Sequence, residues 1–219
     1  MSRKSAHGAE RKPGFLFLGN HPVLDFLNTR PVLNGEAVEL LPDFGALLCW
    51  FEAAHLVTPR ERARLGERWG EAVRARRVAK EMRALRERLR NAVFAWQRGG
   101  NVHRDLAGEL NQLMAEHPMR AKFKADGNVS SVELYFEPRQ PEDLFAPIAN
   151  MGAMLFASLD RKRVRKCDHC VLLFHDVSKK GTRRWCSMQL CGNRKKVAAY
   201  AARRRKGTPR IRIGSLEGS

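Results

Sequence analysis

The chain has no run of about 18 apolar residues, so the sequence offers nothing to span a membrane. Its opening stretch, MSRKSAHGAERKPG, has no apolar segment of the kind that starts an export signal, and residues 1–13 read as a disordered tail. The expected setting is therefore the reducing cytoplasm, where paired cysteines hold metal more readily than they close disulfides. No nucleophile motif, phosphate-binding glycine loop or HExxH is present, which argues against an enzyme. No internal repeat or long low-complexity linker divides the chain. Acidic residues run short in one region above all. From Arg161 to the end, 18 Lys and Arg face three acids (Asp168, Asp176, Glu217), whereas the first 160 residues hold 23 cations and 20 acids. The last quarter thus carries +15 of the net +18, a segregation that solubility does not require and that points to a polyanionic partner.

What that basic segment does contain is four of the five cysteines. Cys167 and Cys170 form a C-x2-C pair, and Cys186 and Cys191 a C-x4-C pair, with fifteen residues between the pairs. Two close thiolate pairs separated by a short excursion suit a tetrahedral metal, and four thiolates close the shell, so one structural zinc ion is expected. An iron–sulfur site is the competing assignment, and His169 or His175 are alternative ligands. Between the pairs, VLLFHDVSKKGTRRW reads as a hairpin with Leu172 and Phe174 on one arm, Trp185 on the other and Ser178 to Thr182 in the turn. After Cys191, the alanine-rich stretch around Val197 and Tyr200 reads as a helix. A knuckle, a hairpin and a second pair at a helix start make a treble-clef-like finger.

Upstream, the pattern is α+β and mainly helical. GFLFL (14–18) reads as a strand, VLDFLNT as a short helix after Pro22, and 40–57 as a helix with Cys49 as a core residue. Thr58, Pro59 and Glu61 form a helix start with a capping box, and Gly66 and Gly70 are expected to break or bend the segment beyond that start. Val78, Met82, Leu85, Leu89, Ala92 and Trp96 mark the clearest helix, ending at Gly99-Gly100. Leu106, Leu110, Leu113 and Met114 mark another. Alternation through Val132, Leu134 and Phe136 around Asp126-Gly127-Asn128 predicts a small antiparallel β-hairpin. An apolar helix over 144–159 then leads to the metal module.

The run Arg184-Trp185-Cys186-Ser187-Met188, followed by Cys191-Gly192-Asn193-Arg194-Lys195-Lys196, resembles the CGNR zinc finger family, and the upstream C-x2-C with Leu173-Phe174, Asp176 and Ser178 fits the same pattern. Leu24-Asp25-Phe26-Leu27-Asn28-Thr29 and the helix around Trp50 resemble the ABATE domain that precedes such fingers in bacteria. The resemblance implies an ABATE-like domain over 14–160, a CGNR finger over 161–206 and a flexible tail over 207–219. It implies a stress-associated bacterial transcription regulator with a zinc-dependent DNA-binding end. His175 departs from the apolar residue expected there.

The leading expectation is a DNA-binding regulator acting on the nucleoid. Asn193 and Arg194 are the candidate base readers, with Lys179, Lys180, Arg183, Arg184, Lys195, Lys196, Arg203, Arg204 and Arg205 as phosphate contacts. Some of 203–206 would equally complement a helix C-terminus. An RNA- or ribosome-binding module is the alternative, since both polyanions attract the same surface. A third reading takes His21, Asp25, Asn28 and Thr29 as a ligand or acid/base site, against plain helix-end hydrogen bonding. A homodimer and a small-molecule effector at the N-terminal domain complete the candidate partners.

Overall fold

Pro22 starts the element around which the rest is assembled. The computed structural model describes residues 10–12, 14–33, 35–127 and 129–192. Helix α1 (Pro22–Leu27) is buried from Val23 through Leu27 and meets two later helices, over 73–97 and 145–158, as well as a strand of the metal module. Its Phe26 ring lies 5.2 Å from Trp50, which in turn lies 5.6 Å from Phe51, both on α2 (Phe44–Ala53). Asp43 caps α2 by accepting the Ala46 amide at 2.8 Å. Helix α2 is therefore shorter than the 40–57 expected from sequence. Cys49 is exposed rather than in the core, because at 100° per residue it falls opposite Phe44, Leu47, Leu48 and Phe51.

Helix α3 (Pro59–Trp69) starts with the expected capping box between Thr58 and Glu61. Gly66 sits inside it without breaking it, and Gly70 ends it. The 25-residue α4 (Val73–Gln97) buries Val78, Met82, Leu85 and Leu89 of the stripe read from the sequence, but Val93 continues it, and Ala92 and Trp96 are only half-buried. At ~37 Å it is the spine of the domain. It also buries Arg86, whose guanidinium donates to Glu39 at 2.8 and 2.6 Å and to Thr29 Oγ1 at 3.0 Å. Helix α5 (Arg104–Glu116) packs on α6 (Phe145–Ser158), which comes after a 3-10 turn, Pro141–Leu144.

The described strands form four two-stranded antiparallel ladders. Glu10–Lys12 (β1) pairs with Phe15–Phe17 (β2), so part of the stretch expected to be a tail is a strand, while residues 1–9 lie outside the described residues. Val32–Leu33 (β3) pairs with Glu36–Ala37 (β4). Arg120–Asp126 (β5) and Val129–Tyr135 (β6) form the expected hairpin; of its alternating apolar residues Val132 and Leu134 are exposed, while Phe136, just past β6, packs against the core. Val164–Lys166 (β7) pairs with Leu173–His175 (β8). This last ladder corrects the hairpin expected over 171–185: β8 pairs backwards across the first cysteine pair, and 176–187 forms a loop. The fold class stands: a mainly helical α+β body with small antiparallel ladders, then a four-cysteine module.

Candidate functional site

The tight turn joining β7 to β8 presents Cys167 and Cys170, with the Cys167 amide donating to Leu172 O at 2.9 Å. Cys186 and Cys191 flank a second turn, closed by the Cys191 amide on Ser187 O at 3.0 Å and continuing into a π-helical turn, Met188–Gly192. The Asp168 amide reaches Arg184 O at 3.0 Å and ties the two arms together. All four sulfurs lie within 4.8 Å of one another. The separations Cys170–Cys186, Cys186–Cys191 and Cys191–Cys170 are 3.6, 3.6 and 3.7 Å. A tetrahedron of sulfurs at the zinc–thiolate bond length has edges of about 3.8 Å, so the donor set fits one zinc ion. Its electrostatics suit a cation. Hydrogen bonds from Cys170 and Cys186 hold the Cys167 thiol far below its ordinary range, while the bond to Cys167 pushes Cys170 up to about 12 and bonds to Cys167 and Cys170 push Cys186 higher still. Four adjacent thiolates become compatible only around a divalent ion. Neither His169 nor His175 belongs to the sulfur cluster.

Around the sulfurs, Leu18, Leu172 and Phe174 are buried, with Leu16 and Trp185 packed against them. The 176–185 loop is braced by its own side chains and by two arginines upstream of it. Asp176 accepts the Ser178 and Arg183 amides at 3.0 and 2.8 Å. Arg163 donates to Asp176 O and Ser178 O, and Arg165 donates to Gly181 O at 2.8 Å. Gly181 has φ +60°, a conformation that favours glycine. Arg183 donates to Trp185 O at 2.8 Å and to Cys186 O and lies 5.0 Å over the Phe174 ring, so its guanidinium is bound into the module. Lys179, Lys180 and Arg184 are exposed. Among the described residues the two lysines carry no ion pair, and Arg184 meets Asp168 at 2.6 Å. Arg165 and Lys166, which carried no distinguishing signal in the sequence, line a cleft with Gln97 and Arg184. Asn193, Arg194, Lys195, Lys196, Arg203, Arg204 and Arg205, and the helix expected to carry them, lie outside the described residues.

The N-terminal polar cluster turns inward. Asn28 is 1% exposed, and its side-chain amide donates to Leu173 O while accepting from Leu173 N, both at 2.8 Å. It thereby acts as a side-chain rung on the free edge of β8. Thr29 Oγ1 donates to Phe26 O at 2.7 Å and accepts from Arg86. Asp25 accepts the Gly19 amide at 2.7 Å, and burial raises its carboxyl from 3.8 to about 7 against the hydrogen bonds from Gly19 and Leu18. Burial, with the charge of His175 second, lowers His21 from 6.5 to about 4. The two groups tilt stability in opposite directions. Between pH 4 and 7 native Asp25 keeps a proton that the unfolded chain has released, so its contribution falls as pH rises. Between pH 4 and 6.5 the unfolded chain protonates His21 first, so that contribution rises with pH.

Further contacts make this face a dock for the metal module. The His175 amide donates to Gly19 O at 2.7 Å, and the Asn20 side chain donates to His175 O at 2.9 Å. Arg90 bridges Leu27 O and Val171 O at 2.9 and 3.0 Å, and Gln97 donates to Val164 O at 2.7 Å. Val164 and Leu173 belong to the same core as α1, α4 and α6. Asn20, Arg90 and Gln97 had no signal in the sequence, since their partners lie far away along the chain.

Comparison with protein families identifies both parts. A model described as "CGNR zinc finger" matches residues 163–204. The ABATE model, described as "Putative stress-induced transcription regulator", matches residues 20–158. No curated protein matches the chain.

Proposed function

The chain belongs to the ABATE family and carries a CGNR zinc finger over 163–204, and from that premise we propose that it is a transcription regulator whose finger binds duplex DNA. The observation that carries this reading is the placement of charge. Lys179, Lys180 and Arg184 stand exposed on the loop beside the four cysteines, and Arg165 and Lys166 line the adjoining cleft. Cations held on a braced loop suit phosphate contacts. Arg183, engaged with carbonyls beside Cys186, is assigned to bracing that loop. Asn193 and Arg194 keep the role of candidate base readers, and Lys195, Lys196 and Arg203 to Arg205 that of phosphate contacts. The helical body orients the finger through Asn28, Asn20, Arg90 and Gln97. Trp185 packs against the apolar residues around the sulfurs, which favours duplex DNA over a stacking platform for single-stranded nucleic acid.

Fluorescence anisotropy with duplex DNA and RNA, with and without a zinc chelator, tests the proposal. Zinc-dependent binding to duplex DNA is expected, with the double change Lys179→Ala and Lys180→Ala reducing the salt slope by about 2. Arg194→Ala should relax sequence preference at a cost of about 1–3 kcal/mol. Binding that survives zinc removal, or that prefers RNA, would refute it.

A further inference from the structure

The β5–β6 ribbon has two faces of opposite character. Residues directly opposite in an antiparallel ladder share a face. One face holds Ala121 with Leu134, Phe123 with Val132, and Ala125 with Ser130. The other holds Arg120 with Tyr135, Lys122 with Glu133, Lys124 with Ser131, and Asp126 with Val129. The first face is apolar and bare: Phe123 is 66% exposed, Val132 65% and Leu134 56%. The ribbon is anchored at its base by Phe136, whose ring lies 6.2 Å from Phe51. Beyond that base both of its edges are free, since neither strand pairs with another described strand. A lone two-stranded ribbon is marginally stable in water, and an apolar face on one calls for a cover.

Charge selects the cover. Over 120–137 three cations (Arg120, Lys122, Lys124, with Arg139 just beyond) meet three acids (Asp126, Glu133, Glu137), so the ribbon is neutral in a chain of net +18. A nucleic acid or an anionic membrane surface would find no attraction there. Two copies of a strongly cationic chain, by contrast, can approach each other only where the charge vanishes. Every ribbon cation and carboxylate from 120 to 133 lies on the face away from the apolar one, so stacking two apolar faces buries no charge. Phe123 and Val132 form the middle pair of the register, where a two-fold contact places its anchors. From these exposures the bare apolar surface amounts to roughly 450 Å² per copy, within the ~300–600 Å² of the largest patch on a typical monomer. Two such faces would bury on the order of 900 Å², close to the ~1,000 Å² of a specific but weak interface.

We propose that the apolar face of the β5–β6 ribbon joins two copies of this chain, stacked face to face about a two-fold axis near the Phe123–Val132 pair. Sedimentation velocity on the full zinc-loaded chain, from about 1 to 100 μM, reads the association directly without nucleic acid, so its outcome is independent of the DNA-binding proposal. A reversible monomer–dimer equilibrium is expected. Phe123→Glu and Val132→Glu should each weaken it at least about tenfold, whereas Val129→Glu, on the charged face, should leave it unchanged. Circular dichroism and zinc content, unchanged in all three variants, show that the fold persists. A wild-type chain that stays monomeric throughout overturns the proposal, whether another segment or another protein covers the face. So does equal sensitivity at Val129 and Val132.

Discussion

Replacing Asn28 with alanine probes the joint between the helical body and the metal module. The native amide makes two buried hydrogen bonds with the Leu173 backbone. Its removal deletes both and leaves the N–H and C=O of a fully buried residue without those partners. Two neutral hydrogen bonds, with part of the desolvation penalty of the groups left behind, come to about 2–4 kcal/mol. For a chain of this length that lowers Tm by roughly 5–15 °C. The loss should also appear as faster metal release. If undocking of β8 precedes loss of the ion, even ~2 kcal/mol speeds chelator extraction about 30-fold. Differential scanning fluorimetry and a colorimetric zinc chelator measure the two effects on one sample. Asn28→Asp should do no better than alanine, because it turns a carboxylate oxygen toward the Leu173 carbonyl. A Tm within about 2 °C of wild type, with unchanged zinc release, would show that the amide rung does not hold the module.

Other perturbations test neighbouring points. Thiol titration of the native chain should find one reactive cysteine, the exposed Cys49, and all five after chelation and unfolding; five at once would mean that no metal is held. Gly19→Ala places a Cβ 2.8 Å from Leu24 Cβ and 3.0 Å from the Asp25 amide nitrogen, and should cost about 1–3 kcal/mol in chemical denaturation. A neutral result there would disprove the close approach. Asp25→Asn removes the falling arm of the pH profile and leaves the rising arm of His21, so its stability should climb between pH 4 and 6.5 where wild type stays flatter. At pH 8 it should exceed wild type by up to ~4 kcal/mol, and parallel profiles would refute the assignment.

Local chemistry is legible in the chain itself. The Thr58–Glu61 capping box, the α4 stripe and the metal ligands depend on residues a few positions apart, where spacing fixes geometry. Cys49 misleads because its apolar neighbours suggest burial, although helical rotation puts it on the outer side of α2. The β5–β6 alternation correctly signals a ribbon but not which face is covered, since alternation reports an apolar side and not what lies against it. The LDFLNT segment looks like a ligand site for a deeper reason. Asn28 and Leu173 are 145 residues apart, and polar side chains that satisfy a distant backbone look, in sequence, like side chains waiting for a substrate. In the metal module the expected hairpin differs from the observed one because β8 has two neighbours to choose from, and the tight cysteine turn favours β7.

The clasp formed by Asn20, Asn28, Arg90 and Gln97 leaves the finger no swivel. Fingers on flexible tethers can search through many orientations before engaging; this one is aimed by the helices behind it. If two copies join through the β5–β6 ribbon and the finger binds duplex DNA, both as proposed, the pair would hold its two metal modules at a set distance and angle, like the jaws of a caliper. Inserting half a helical turn of DNA between the halves of a target should then defeat binding without altering a single contacted base.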